Sequence, residues 1–125
     1  MARPVVVYIG IEWDQLPPSF TPERRLQIKD GIAAALADLT ARGYDARWCG
    51  VGLDRDLAAA AVRAAVAGPV DAVLIGAGLR LTEAALELFE VIVNVVHQAC
   101  PRAALCFNST PADSGPAVAR WLPPR

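Results

Sequence analysis

The 125-residue chain predicts a single three-layer α/β/α domain over residues 1–125, built on a four-stranded parallel sheet of order 2-1-3-4. Three observations carry that expectation. Apolar, β-branched runs alternate with helical patterns, cap and stop residues fall between them, and 54% apolar with 20% charged residues suffices for one good core. A parallel strand is buried on both faces, so it reads as an unbroken apolar run rather than as an alternation. Right-handed crossovers between such strands place helices over both faces.

Pro4–Ile11 is the first such run. Thr21-Pro22 supplies an N-cap and a proline at the first helical position, and Ile28, Ile32, Leu36 and Leu39 recur at helical spacing up to a stop at Gly43. Asp45–Val51 returns as a strand. Asp54 or Asp56 caps an Ala-rich helix through Ala67, which Gly68-Pro69 ends. Val70–Gly76 is the third strand. Thr82 caps the third helix, with Leu81 and Leu86 placed as a hydrophobic staple and Pro101 following its end near Cys100. Ala103–Phe107 is the fourth strand. Thr110 and Asp113 have capping-box spacing ahead of a short helix that includes Trp121.

In the third helix Glu83, Glu87, Glu90, Asn94 and His97 advance by four, three, four and three and share one face. Leu86, Phe89, Val93 and Val96 flank one side of that face, and Leu88, Ile92 and Val95 flank the other. The apolar arc is about twice the ~100° stripe of a surface helix, which predicts a homodimer formed through residues 82–100.

Ligands of open α/β sheets bind beyond the carboxyl ends of the strands, where strand order reverses. The candidate loops are therefore 12–20, 49–53, 76–81 and 108–113. Gly76-Ala77-Gly78-Leu79-Arg80 joins a strand to a capped helix, so Gly76 and Gly78 admit close approach, Thr82 and the helix start offer donors to an anion, and Arg80 adds a cationic fork. The dinucleotide fingerprint is incomplete, with Leu81 in place of its third glycine and no acid ending the next strand. Glu12 and Asp14 are candidate catalytic carboxylates as general bases, and the same pair suits chelation of a divalent cation. A phosphorelay receiver would need a further acid and a later lysine, yet the one lysine is Lys29. Asn108 ends the fourth strand as a candidate for orienting a ligand.

The loop 12–20 carries Trp13, Leu16, Pro17, Pro18 and Phe20, which suit either a closing flap or a packed cap on the sheet. His97, the one histidine, falls in the last turn of the third helix, ~20 Å from Arg80 at the rise of an α-helix, which favours a structural role. Cys49 lacks a neighbouring base and reads as a small buried residue rather than a nucleophile.

A formal charge of −1 without a basic stripe excludes the usual footprint of nucleic-acid binding. No apolar stretch reaches the ~18 residues of a membrane span, and the first residues lead straight into a strand rather than an export signal. Cys49, Cys100 and Cys106 fit neither a disulfide framework nor a zinc site, which points to a reducing cytoplasm and no metal.

From residue 76 onward, Gly76-Ala77-Gly78-Leu79-Arg80, Leu88-Phe89-Glu90, Val93-Asn94-Val95-Val96-His97, Cys106-Phe107-Asn108 and Ala117-Val118-Ala119-Arg120-Trp121 form a pattern. The pattern resembles small Rossmann/flavodoxin-like α/β proteins of bacteria and fungi that have no established activity. The resemblance implies a shared fold and no site residue.

These residues predict a protein that binds a small anionic metabolite through Gly76, Gly78, Arg80, Thr82 and Asn108, with Glu12 or Asp14 as base if it is a cofactor-independent isomerase or lyase. A non-catalytic, homo-oligomeric assembly module is the rival, resting on the wide third helix and the tail around Trp121. Nucleotide or flavin binding is the third reading.

Overall fold

The strand and helix signals alternate without exception, and the fold follows them. A computed structural model describes residues 2–81 and 83–123. In chain order the regular elements are β1 (Val5–Ile11), α1 (Pro22–Ala41), β2 (Asp45–Val51), α2 (Arg55–Ala65), β3 (Ala72–Ile75), α3 (Leu86–Ala99), β4 (Ala104–Phe107) and α4 (Ser114–Ala119). The sheet is parallel with order β2-β1-β3-β4, and the register aligns Val6 with Ala46 and Ala72, and Ala72 with Ala104. This is the three-layer, flavodoxin/Rossmann-like arrangement.

Because side chains alternate along a strand, each strand feeds two cores. Val7, Ile9, Cys49, Val73 and Ile75 face α2 and α3, where Val62, Leu88, Ile92 and Val96 close the layer. Val6, Tyr8, Ala72, Leu74 and Cys106 face α1 and α4, where Ala35, Leu39, Ala117 and Val118 close the other. Burial of these side chains contributes about 1.5–3 kcal/mol apiece for the larger aliphatics.

The first two helices are capped as their spacing predicts. The Thr21 hydroxyl accepts from Arg24 N at 3.1 Å, and the Asp54 carboxylate, not that of Asp56, accepts from Leu57 N at 2.9 Å. Gly43 stops α1 at φ 103°, a left-handed conformation that a Cβ would strain.

Four expectations are corrected. The strands at Val70–Gly76 and Ala103–Phe107 shorten to Ala72–Ile75 and Ala104–Phe107, and α2 ends at Ala65. The third helix does not begin at its expected cap: two 3-10 turns, Ala77–Leu79 and Glu83–Ala85, precede Leu86, and Thr82 lies outside the described residues. Leu81 and Leu86 stand 70% and 59% exposed, so they form no buried staple. Trp121 falls in the turn beyond α4 rather than within it, 67% exposed.

The arc of α3 is largely absorbed within the chain. Leu88, Ile92, Val95 and Val96 are buried, Phe89, Val91 and Val93 are half-buried, and Glu83, Glu87, Glu90, Asn94 and His97 face solvent as their spacing requires. Among the described residues no helix is long and apolar enough to cross a membrane.

Candidate functional site

The carboxyl ends of the four strands are the place to look, and they divide into two corners. At the first, where β1 and β2 end, glycines make room for large neighbours. The Trp48 indole lies over Gly10, where a Cβ would meet the ring at 2.7 Å, and stands edge-on to Tyr8 at 5.1 Å. Its Nε1–H donates to Glu12 Oε1 at 2.8 Å, and the Glu12 carboxylate in turn occupies the space a side chain at Gly50 would need. Asp14 projects to solvent from a 3-10 turn, Trp13–Gln15.

The loop 12–20 is a packed cap rather than a flap. Leu16 is buried, and the Arg25 guanidinium donates to the carbonyls of Trp13, Pro17 and Phe20 at 3.4, 2.9 and 3.1 Å. Lys29 adds its ammonium over the Trp13 ring at 4.8 Å. Arg25 is a structural residue that sequence reasoning missed, since its partners are main-chain carbonyls and leave no side-chain pattern to read.

At the second corner, where β3 and β4 end, Asn108 is the hub. It is 2% exposed, and its Oδ1 accepts from Ala77 N at 2.9 Å while its Nδ2 donates to Tyr8 OH at 3.1 Å and Ser114 Oγ at 3.0 Å. The amide thus ties β1, the loop after β3 and α4 together, and none of its hydrogens is left to orient a ligand. Burial raises the Tyr8 hydroxyl pKa, opposed by the hydrogen bonds of Asn108 and Ser114.

The turn after β3 is also engaged from within. Gly76 N donates to Ile9 O at 2.8 Å, Leu79 N to Gly76 O at 3.1 Å, and Arg80 N and Leu81 N to Ala77 O at 2.9 and 3.0 Å. A Cβ at Gly76 would stand tight against Ile9 O at 3.2 Å and the Tyr8 ring at 3.4 Å, whereas Gly78 is exposed with open space around it. Only Gly78 matches the expected point of approach.

Arg80 crosses from this turn onto β4. Its Nη2 donates to Asn108 O, its guanidinium carbon stands 5.2 Å from the centre of the Phe107 ring, and its buried Nε has no hydrogen-bond partner among the described residues. Arg120, just past α4, donates from Nη2 to Phe107 O at 3.1 Å. Two guanidiniums from different elements therefore reach consecutive carbonyls at the end of β4. Neither belongs to an ion pair among the described residues, where the pairs are Asp38–Arg42, Asp45–Arg47 and Glu87–Arg55.

Compared with known protein families, curated proteins and solved structures, the chain matches none. The reading of the site therefore rests on its own geometry.

The remaining candidates lie away from both corners. His97 is exposed in the last turn of α3, at the other end of the sheet. Cys49 is buried with its Sγ donating to Ala61 O at 3.8 Å, and burial raises its thiol pKa, with Glu12 adding to the effect. Burial pushes Cys106 up to about 11, and all three cysteines are free. Neither Cys49 nor Cys106 presents a thiolate near neutral pH. Among the described residues no group of three His, Cys, Asp or Glu comes together. Surface hollows among the described residues include a groove of about 760 Å³ along α2 and Val91 of α3 and one of about 280 Å³ between Gly68 and Ala103, and neither of these includes Gly78, Arg80 or Asn108.

Proposed function

We propose that the protein binds a small anion, a phosphate or carboxylate group of a metabolite, at the end of β4 between Arg80 and Arg120. The observation that carries this reading is the pair of guanidiniums on consecutive carbonyls, neither in an ion pair among the described residues. A guanidinium bound to one carbonyl keeps further N–H groups for a planar anion, and charge-assisted bonds of that kind are about twice as strong as neutral ones. A buried Nε left without a partner costs about 1–3 kcal/mol, a cost that an anion reaching it would remove.

In this reading Arg80 and Arg120 supply the charge and Gly78 the open approach. Asn108 acts as a positioning residue: it holds the carbonyl that fixes Arg80 and does not touch the ligand. Glu12, held by the Trp48 indole at the other corner, stands apart from this anion, so the proposal is of binding and gives neither Glu12 nor Asp14 a catalytic role.

The test is a thermal-shift series with inorganic phosphate, phosphorylated sugars, nucleotides and carboxylic acids on the parent, Arg80→Ala and Arg120→Ala proteins. Ligand at 100 times Kd adds ~2.7 kcal/mol, which for a domain of this size is a rise of several degrees. The expected result is a rise in the parent that both substitutions reduce. An equal rise in all three proteins would refute the site, and no rise with any anion would refute the function.

A further inference from the structure

The loops after β3 and β4 spend their main-chain donors inside the fold. In the turn after β3 the N–H groups of Gly76, Leu79, Arg80 and Leu81 go to carbonyls, and that of Ala77 goes to Asn108 Oδ1. After β4 the Asp113 carboxylate takes the N–H groups of Ser109 and Thr110 at 2.9 and 3.2 Å, together with the Ser109 hydroxyl at 2.6 Å. The peptide unit between Asn108 and Ser109 is therefore held at both ends, by the Arg80 guanidinium on its carbonyl and by the Asp113 carboxylate on its N–H. Phosphate sites on α/β sheets are built from several converging main-chain amides. At this corner a carboxylate of the chain itself already fills such a cluster, and its charge opposes an incoming dianion more than a monoanion.

The surface beside Arg80 is apolar. Its guanidinium carbon stands 5.2 Å from the centre of the half-buried Phe107 ring, and Phe107 meets the half-buried Phe89 of α3 with ring centres 6.3 Å apart. Leu86 precedes Phe89 by three residues on the same face of α3 and is exposed, as is Leu81, the residue after Arg80. Helical side chains lean toward the N-terminus of their helix, so Phe89 leans toward Leu86 and the carboxyl edge of the sheet. Phe107, Phe89 and Leu86 thus make an apolar strip that begins at the cation.

We propose that the anion of this corner is the carboxylate of a monocarboxylic acid whose small apolar body, of the size of a phenyl or branched alkyl group, lies along Phe107, Phe89 and Leu86. The inference rests on the anion reading of Arg80 and Arg120 and narrows its ligand class, leaving phosphorylated sugars and nucleotides outside it. The planar guanidinium fork matches the two oxygens of a carboxylate, and the strip gives the rest of such an acid a surface to cover. A sugar or nucleotide would set its hydroxyls against the same surface without partners.

Nuclear magnetic resonance titrations of the full chain with acetate, 3-phenylpropanoate, inorganic phosphate and phenyl phosphate test it, followed at the Gly78 amide and the Leu86 methyl groups. Acetate and inorganic phosphate are expected to bind weakly. 3-Phenylpropanoate is expected to bind about tenfold more tightly than either acetate or phenyl phosphate, and to shift the Leu86 methyl groups. Leu86→Gln, an exposed change that leaves the fold intact, is expected to reduce the advantage of 3-phenylpropanoate over acetate to about threefold. Equal affinities for acetate and 3-phenylpropanoate, or tighter binding of phenyl phosphate, would overturn the proposal and leave the anion site standing. So would an advantage that Leu86→Gln does not reduce. No saturable response to any of the four, or one that Arg80→Ala leaves unchanged, would overturn the anion reading as well.

Discussion

The two corners of the carboxyl edge are built from the same materials and solve opposite problems. Where β1 and β2 end, the chain fills its own surface: Trp48 over Gly10, Glu12 over Gly50, and a nine-residue loop whose carbonyls Arg25 gathers. Where β3 and β4 end, a buried amide organises the main chain, and two guanidiniums rest on carbonyls outside any ion pair among the described residues. A cation satisfied by neutral carbonyls keeps most of its charge. The difference shows where the proposed anion would bind: the first corner pairs its donors inside the fold, while the second has two guanidiniums outside any ion pair among the described residues.

Substitutions that break each corner should therefore differ in kind as well as in size. Asn108→Leu is the largest. It strands Ala77 N–H and removes the partners of Tyr8 and Ser114 in a buried site, so urea unfolding should show a loss of about 3 kcal/mol or more. Gly10→Ala comes next, because the Cβ meets a Trp48 ring that Tyr8 prevents from retreating. Chemical denaturation should show a loss of about 1–3 kcal/mol. Arg25→Ala should cost about 1 kcal/mol globally while residues 12–20 lose hydrogen-exchange protection or become sites of proteolysis. If that loop stays protected, the cap is held by Leu16 and Phe20 alone.

The smallest effect depends on pH. The Ser109 hydroxyl, with the N–H groups of Thr110 and Ser109, holds the Asp113 carboxyl below its ordinary range. A group whose folded pKa is depressed adds stability that is present above the unfolded value, about 3.9, and is lost as pH falls through the folded one. Asp113→Asn should thus be less stable than the parent at neutral pH, and the gap should close in melts run below about pH 4.

Much of the fold was legible because it depends on local signals. Thr21-Pro22, the pair Asp54 and Asp56, and Gly43 mark element ends by themselves, and the apolar runs at 4–11 and 70–76 read as doubly covered strands. The strand order 2-1-3-4 is the expectation for helices on both faces, and the sheet has it. The site was less legible because its decisive contacts join residues far apart in sequence. Asn108 was placed at the right edge, but the Tyr8 hydroxyl that takes up its amide lies a hundred positions earlier. Arg120 stood in view and carried no signal, since a carbonyl partner has no side chain to pair with in a sequence. The start of α3 misled for a related reason: a Thr before a Glu-rich turn suggests a cap, while Ala85 and Leu88 set the burial that decides where the helix begins.

The central claim, an anion held between Arg80 and Arg120, is tested most directly by a nuclear magnetic resonance titration with inorganic phosphate and with a dicarboxylate, following the Nε–H signals of both arginines and the Gly78 amide. The account predicts that these signals move together and saturate, that the Trp48 indole N–H does not move, and that Arg80→Ala abolishes the response. Saturable shifts that persist unchanged in Arg80→Ala, or shifts confined to the corner of Trp48 and Glu12, would contradict it.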